Sequence, residues 1–232
     1  MSGFIGIVCG LKSEANAVRA SLKAAGVDVS KVMIGVSGAN ADRAEEIAQG
    51  FLDDGAKAIV SAGLCGGLDP ALKSGELVLG ERVVSAKGDI VIADKALAAA
   101  ADKFSPRHVA IFGSDEIVDC TEKKEALFQR YAAETVDMES HGAARAAARA
   151  GVPFIAIRVI ADGAARALPK AALRAVTPAG GVNVANVLLD CIKQPQQFEE
   201  IFALGRDSGA ATQTLRREFG GYLGAFLAAL GL

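Results

Sequence analysis

A chain of 232 residues, 51% of them hydrophobic, has room for one domain with a substantial core. Its net charge of −2, with 25 basic and 27 acidic residues interspersed, excludes the concentrated basic surface that nucleic-acid binding needs. Four cysteines without paired C-x-x-C spacing, and only two histidines, argue against a disulfide framework and a histidine-rich metal site.

In chain order, FIGIVCG is a short apolar run ending in glycine, followed by the helix-like KSEANAVRASLKAAG. KVMIGVSG and ADRAEEIAQGFLDDG repeat that pair, and KAIVSAGLCGG is a third strand ending in a glycine cluster. GELVLGERVVSA and DIVIA follow without a long helix between them, which implies antiparallel strands or a bend. RHVAIFGS reads as a strand and CTEKKEALFQRYA as a helix, and then TVDM and VPFIAIRVIAD bracket the helix SHGAARAAARAG.

Beyond residue 165, PKAALRAV, NVANVLLDCIKQ and the stretch from Gln196 onward read as helices only. This order predicts an α/β fold of three layers, with a central mixed, mainly parallel sheet flanked by helices. With no repeat and no linker, residues 1–232 are read as one domain: an α/β core over 1–165 and a helical extension over 166–232. The extension either covers one end of the sheet or contacts a partner.

Phe219, Tyr222, Leu223, Phe226, Leu227 and Leu230 recur at helical spacing, although Gly220, Gly221 and Gly224 weaken that segment as an isolated helix. The stripe packs on its own domain or in a dimer, or else forms an apolar lip for a substrate or a peripheral membrane contact. The start, MSGFIGIVCGLKSE, reads without the basic lead of a signal peptide, and no apolar run is long enough to span a bilayer. Cys9, Cys65, Cys120 and Cys191 are expected as reduced, mostly buried thiols of a cytoplasmic protein.

The chemistry concentrates at strand ends. CGLKSE, SGANADR and AGLCGG leave their strands in the same sense, and together they point to a pocket for a small polar ligand. None has P-loop spacing, and GLCGGL lacks that of the dinucleotide fingerprint. Glu14 opens a helix, where the helix dipole alone stabilises an acid by about 0.3–1 kcal/mol. Asp162 ends a buried strand, as a helix-turn cap or a functional acid. Asp137 and Glu139 sit where a buried strand meets a buried helix. Such carboxylates are costly to bury without a partner, and a ligand is the expected one. For Glu139 an ion pair with Arg158 is the competing explanation.

SAGLCGGLDPALKSGELVLGERVV, VDMESHGAARAAARAGVPFIAIRVIAD and GLKSEA, in this order and spacing, resemble the purine nucleoside phosphorylase and nucleosidase superfamily over residues 4–165. VDMESH, RALPKAAL, the VTPAGG turn and the helical tail extend the resemblance to the hopanoid-associated phosphorylases, which release adenine from adenosylhopane. The resemblance implies cleavage of the N-glycosidic bond of an adenosyl nucleoside carrying an apolar hopane tail. Methylthioadenosine/S-adenosylhomocysteine nucleosidase or another purine nucleoside phosphorylase is the alternative, and a non-catalytic nucleoside sensor a third reading.

By position, the resemblance makes Asp162 the acid facing purine N7 and Glu14 the acid that orients water or a phosphate oxygen. Glu139, with Met138 and Asp137, becomes the ribose grip. Gly63 and Gly66 become the nucleophile loop, and Asp115 and Ile117 the cover over the base. The chain departs from its relatives at Leu64 and Lys57-Ala58, where many carry a serine or an arginine-led phosphate motif; Arg43 is the candidate replacement cation. Phosphorolysis and hydrolysis therefore both stay open. The resemblance further implies no cofactor and no metal, inorganic phosphate as a co-substrate if phosphorolytic, a homodimer or higher homo-oligomer, and a cytoplasmic enzyme that could work at the inner membrane surface. His141 is either a satisfied buried histidine or a contact to sugar or nucleophile.

The residue types suit the chemistry. Breaking the bond builds positive charge on the ribose and sends electron density into the leaving base. An acid desolvated by VIA is pushed toward its protonated form and can donate to the base. A carboxylate can accept from both ribose hydroxyls and stabilise the developing charge.

Overall fold

The computed structural model describes residues 3–169, 177, 179–181 and 198–232. Apart from Pro169, the helices expected over PKAALRAV and NVANVLLDCIKQ lie outside those residues, and so does Cys191. The α/β reading holds. The elements run β1 (Phe4–Cys9), α1 (Lys12–Ala24), β2 (Val32–Val36), α2 (Ala41–Asp53), β3 (Ala56–Gly67), β4 (Leu77–Ser85) and β5 (Ile90–Ile92). After these come α3 (Lys95–Asp102), β6 (Arg107–Gly113), α4 (Thr121–Tyr131), β7 (Thr135–Asp137), α5 (Ser140–Ala150), β8 (Phe154–Asp162) and α6 (Phe198–Ala229).

The eight strands among the described residues belong to one mixed sheet. β1 pairs in parallel with β2 and β3, β3 with β8, β4 with β6, and β6 with β7. β3–β7, β4–β5 and β4–β8 are antiparallel. The strands β3, β8, β4, β6 and β7 therefore pair in a closed circuit, with β1–β2 and β5 appended as flaps. The run GELVLGERVV–DIVIA is the antiparallel β4–β5 pair that the missing helix implied.

Side-chain alternation along the strands fills two cores. From β1, Ile5, Ile7 and Cys9 face a cluster shared with α1, α3 and α6, while Val8 faces the one built with α2 and α5. Every residue of β8 is buried, as a strand covered on both faces requires. A smaller cluster around Phe112 and Val136 is completed by Leu127 and Phe128 of α4.

The tail settles the apolar stripe. Phe219, Tyr222, Leu223, Phe226 and Leu227 are buried in the chain's own core with α1 and β8, and Leu230 packs against the same cluster. The stripe thus offers no lip to a membrane, and among the described residues no helix is long and apolar enough to cross one. Gly220, a liability in an isolated helix, is where α6 meets α1. A Cβ there would lie 2.5 Å from the Ser21 carbonyl oxygen, and the Gly220 amide donates to Ser21 Oγ at 2.8 Å. Cys9 and Cys65 are buried thiols, and Cys120 is half-buried.

Candidate active site

The glycine loops expected at one sheet edge do meet there. The amides of Gly38 and Ala39 donate to the Gly10 carbonyl at 2.9 and 3.2 Å, and the turn after Thr177 closes over them, with Lys12 donating to Gly180 at 2.8 Å. Glu14, in the first turn of α1, is held from both sides. Its Oε2 accepts from the Leu11 amide at 2.8 Å, as in half of a capping box, and its Oε1 from the Leu64 amide at 2.9 Å. Burial raises its pKa, opposed chiefly by the Leu64 amide, with Arg158 and the Leu11 amide after it.

Gly63 and Gly10 are the close approaches that make this possible. A Cβ on Gly63 would fall 2.8 Å from the Glu14 carboxyl, and one on Gly10 would fall 2.3 Å from Glu139 Oε1 and 3.3 Å from Glu14 Oε2. Gly10 is therefore where two acids from α1 and the β7–α5 junction come together. Gly63, expected in the nucleophile loop, does not line the cavity; it makes room for Glu14 behind it.

Behind Glu139 lies a polar hub around Arg158, whose side chain is 0% exposed. Arg158 Nε donates to Asp137 Oδ2 at 2.6 Å, while Nη2 donates to Ser61 Oγ at 2.7 Å and Ser140 Oγ at 2.9 Å. Asp137 also accepts from the amides of Glu139 and Ser140 and from the Ser140 hydroxyl. The ion pair considered for Glu139 falls instead mainly to Asp137, with Glu139 Oε2 a looser 3.6 Å from Arg158. Burial alone would raise Asp137, but Arg158 and Ser140 outweigh it and hold its pKa below the usual value. For Glu139 burial wins: opposed by Arg158 and reinforced by Asp137 and Glu14, it pushes the pKa up to about 8. Of these two acids, the one whose hydrogen-bonding capacity is less committed within the protein is Glu139.

Asp162 ends β8 opposite Gly66 of β3. Its Oδ2 accepts from Lys124 Nζ of α4, a residue that sequence reasoning passed over. Burial raises the Asp162 pKa, and Lys124 opposes it. Asp115, expected over the base, is 62% exposed at its side chain and pairs with His141 Nε2 at 2.9 Å. That hydrogen bond holds the Asp115 pKa below the ordinary value. His141 is buried and, like Asp115, is absent from the cavity wall.

One cavity of about 570 Å³ joins Glu14, Glu139 and Asp162. Gly66, Arg43, Met138, Asp137 and Ile117 also line it. Its remaining wall is largely apolar, from Leu11, Leu64, Val118, Val136, Leu168 and, in α6, Leu204, interrupted by Asn40, Glu116, Lys124, Thr177 and Ser208. The helical extension thus contributes to the site. Among the described residues, no group of three or more His, Cys, Asp or Glu side chains is placed to hold a metal ion.

A mixed sheet whose glycine loops and buried acids converge on one cavity has the form of an α/β ligand-binding site. Residues 12–193 match the phosphorylase superfamily, and the chain belongs to that family, as an enzyme of the phosphorylase or nucleosidase class. No curated protein matches the chain. Among solved structures, the fold is similar to 5′-methylthioadenosine/S-adenosylhomocysteine nucleosidase from Neisseria meningitidis in complex with methylthio-immucillin-A. That match has TM-score 0.70 and 14% identity, covering 96% of this chain and 99% of the other. The Helicobacter pylori nucleosidase of the same name, bound to butyl-thio-DADMe-Immucillin-A, matches with TM-score 0.66 and 18% identity over 93% and 97%. Futalosine hydrolase of H. pylori matches with TM-score 0.66 and 17% identity over 93% and 96%.

Proposed function

We propose that this enzyme cleaves the N-glycosidic bond of an adenosyl nucleoside with an apolar 5′ substituent and releases adenine. The observation that carries the reading is the cavity in which Glu14, Glu139 and Asp162 share a wall with apolar side chains that include Leu168 and Leu204. Asp162, raised by burial, donates a proton to the departing base. Glu139 accepts from the ribose hydroxyls, with Met138 against the sugar, while Asp137 acts through Arg158 to orient it. Ile117 covers the base. Glu14 orients the attacking water or binds a protonated phosphate oxygen, and in the second case Arg43 and the Gly66 loop supply the anion site.

Adenosylhopane is the substrate this reading favours, with the hopane tail along the apolar wall. Incubating the protein with adenosine, 5′-methylthioadenosine, S-adenosylhomocysteine and adenosylhopane, with and without phosphate, and measuring adenine tests it directly. Turnover of adenosylhopane above the others supports the full reading, and phosphate dependence separates phosphorolysis from hydrolysis. No adenine from any of the four would overturn it.

A methylthioadenosine/S-adenosylhomocysteine nucleosidase is the second reading. The fold likeness to two such enzymes, over more than nine-tenths of this chain, favours it. Preference for the methylthio compound in the same assay decides for it.

A further inference from the structure

Among the described residues Lys124 is the one lysine in the cavity wall, and its side chain is only 1% exposed. A buried ammonium is costly unless all three of its protons find acceptors. Here they do: Asp162 Oδ2, the Gly163 carbonyl at 2.8 Å and the Arg166 carbonyl at 2.9 Å. The next residue back, Lys123, shows what α4 does with an ordinary lysine, which reaches out to Asp119 on the exposed side. Both carbonyl acceptors belong to the turn that follows Asp162. A hydrocarbon chain at 124 would satisfy the core but leave that turn and one carboxylate oxygen unheld.

We propose that Lys124 is a positioning residue for glycosidic cleavage: it fixes Asp162 Oδ2 so that Oδ1 meets the departing base, and its charge stabilises the carboxylate left behind. The inference rests on Asp162 as the acid of the proposed reaction. As the ribose–purine bond breaks, its electron pair goes to the purine and the Oδ1 proton moves to N7. Phosphate adds to the ribosyl carbon, or water does so and passes its released proton to the Glu14 carboxylate, and Asp162 is left ionised beside the ammonium. No proton leaves Lys124.

Among the described residues, the other groups that act on or feel Asp162 are few. Arg166, in the following turn, weakly favours its ionised form, and its guanidinium is paired with Asp207 of α6 at 2.8 Å. The Cys65 thiol of β3 is a neutral buried neighbour whose own pKa burial raises. Removing the charge at 124 therefore leaves burial nearly unopposed, and the Asp162 carboxyl must hold its proton to higher pH.

The test is a 13C NMR titration of the Asp162 side-chain carboxyl in the full chain, without substrate and assigned by loss of the signal in Asp162→Asn. In Lys124→Gln and Lys124→Met the midpoint should rise by about one pH unit or more, while Lys124→Arg keeps it near the wild-type value. For adenine release, the Gln and Met variants should lose at least about tenfold in kcat with KM little changed, and their alkaline limb should move up in parallel. An unmoved or lowered midpoint, or full kcat in Lys124→Gln, overturns the proposal. If Asp162→Asn itself turns over normally, the assignment of the acid fails instead. That outcome is separate from an inactive Asp162→Asn with an unmoved titration, which sinks Lys124 alone.

Discussion

Arg158 Nε and Asp137 Oδ2 lie 2.6 Å apart with side-chain exposures of 0% and 1%. A pair so enclosed draws its value from having both members. Arg158→Met would leave Asp137 and Glu139 without their cation in a desolvated site, at a cost of about 3–5 kcal/mol. Urea unfolding of the variant should show that loss, and a change under about 1 kcal/mol would remove Arg158 from the centre of the hub.

Glu139 links the site to pH. Its folded pKa of about 8 stands above its ordinary 4.5, so the folded state holds the proton more tightly than the unfolded chain. The associated stability is fully present below pH 4.5 and is lost as pH rises to about 8, where the unfolded chain is already ionised and the folded one is forced to follow. Glu139→Gln copies the protonated form. The difference in melting temperature between variant and wild type should therefore grow in the variant's favour across that window, then level off. A difference that is flat with pH would contradict the burial of a titrating Glu139.

Gly10 is the narrow point between two acids. In Gly10→Ala the new methyl lands 2.3 Å from Glu139 Oε1, so the carboxylate must move. Displacement of about an ångström at a reacting site costs about 100-fold, and adenine release should fall on that scale with the circular-dichroism spectrum unchanged. Gly50→Ala is the control. Nothing lies within 4 Å of a Cβ there in the interior of α2, and the variant should gain about 0.5–1 kcal/mol.

Leu204 of α6 tests the apolar part of the cavity wall. Leu204→Trp adds bulk to the apolar wall, and the ratio of kcat/KM for a long-alkyl 5′ adenosine over 5′-methylthioadenosine should drop by about tenfold or more. A ratio that stays constant would place the 5′ group elsewhere.

Much of this was legible from residue patterns because strand ends are punctuated. Glycine after FIGIVC and KVMIGVS, and acids at Glu14, Glu139 and Asp162, mark one end of the sheet before any coordinate is known. Helix α3 was missed. KALAAAAD is eight residues long, too short for a periodic signal, although Asp94 caps it through the Ala96 and Leu97 amides and alanine is the best helix former.

Lys124 was invisible for a different reason. Lys123 and Lys124 are adjacent and alike, and only the rotation of α4 about its axis sends one to solvent and the other to Asp162. Arg158 inside FIAIRVIAD entered the sequence reading as a competing partner for Glu139. Which acid it takes depends on the β8–β3 register and the turn into α5, both long-range facts. Asp115 shows the limit of positional matching: a neighbouring buried imidazole claims its carboxylate.

The closed circuit of β3, β8, β4, β6 and β7 separates two tasks within one chain. Asp162 ends one of its strands and Glu139 follows another by two residues, so backbone hydrogen bonds running right round the hoop set their spacing. Leu168, Leu204 and Ser208 hang outside it. Those outer residues can be exchanged for longer, shorter or greasier ones while the spacing of Glu139 and Asp162 stays where the hoop clamps it.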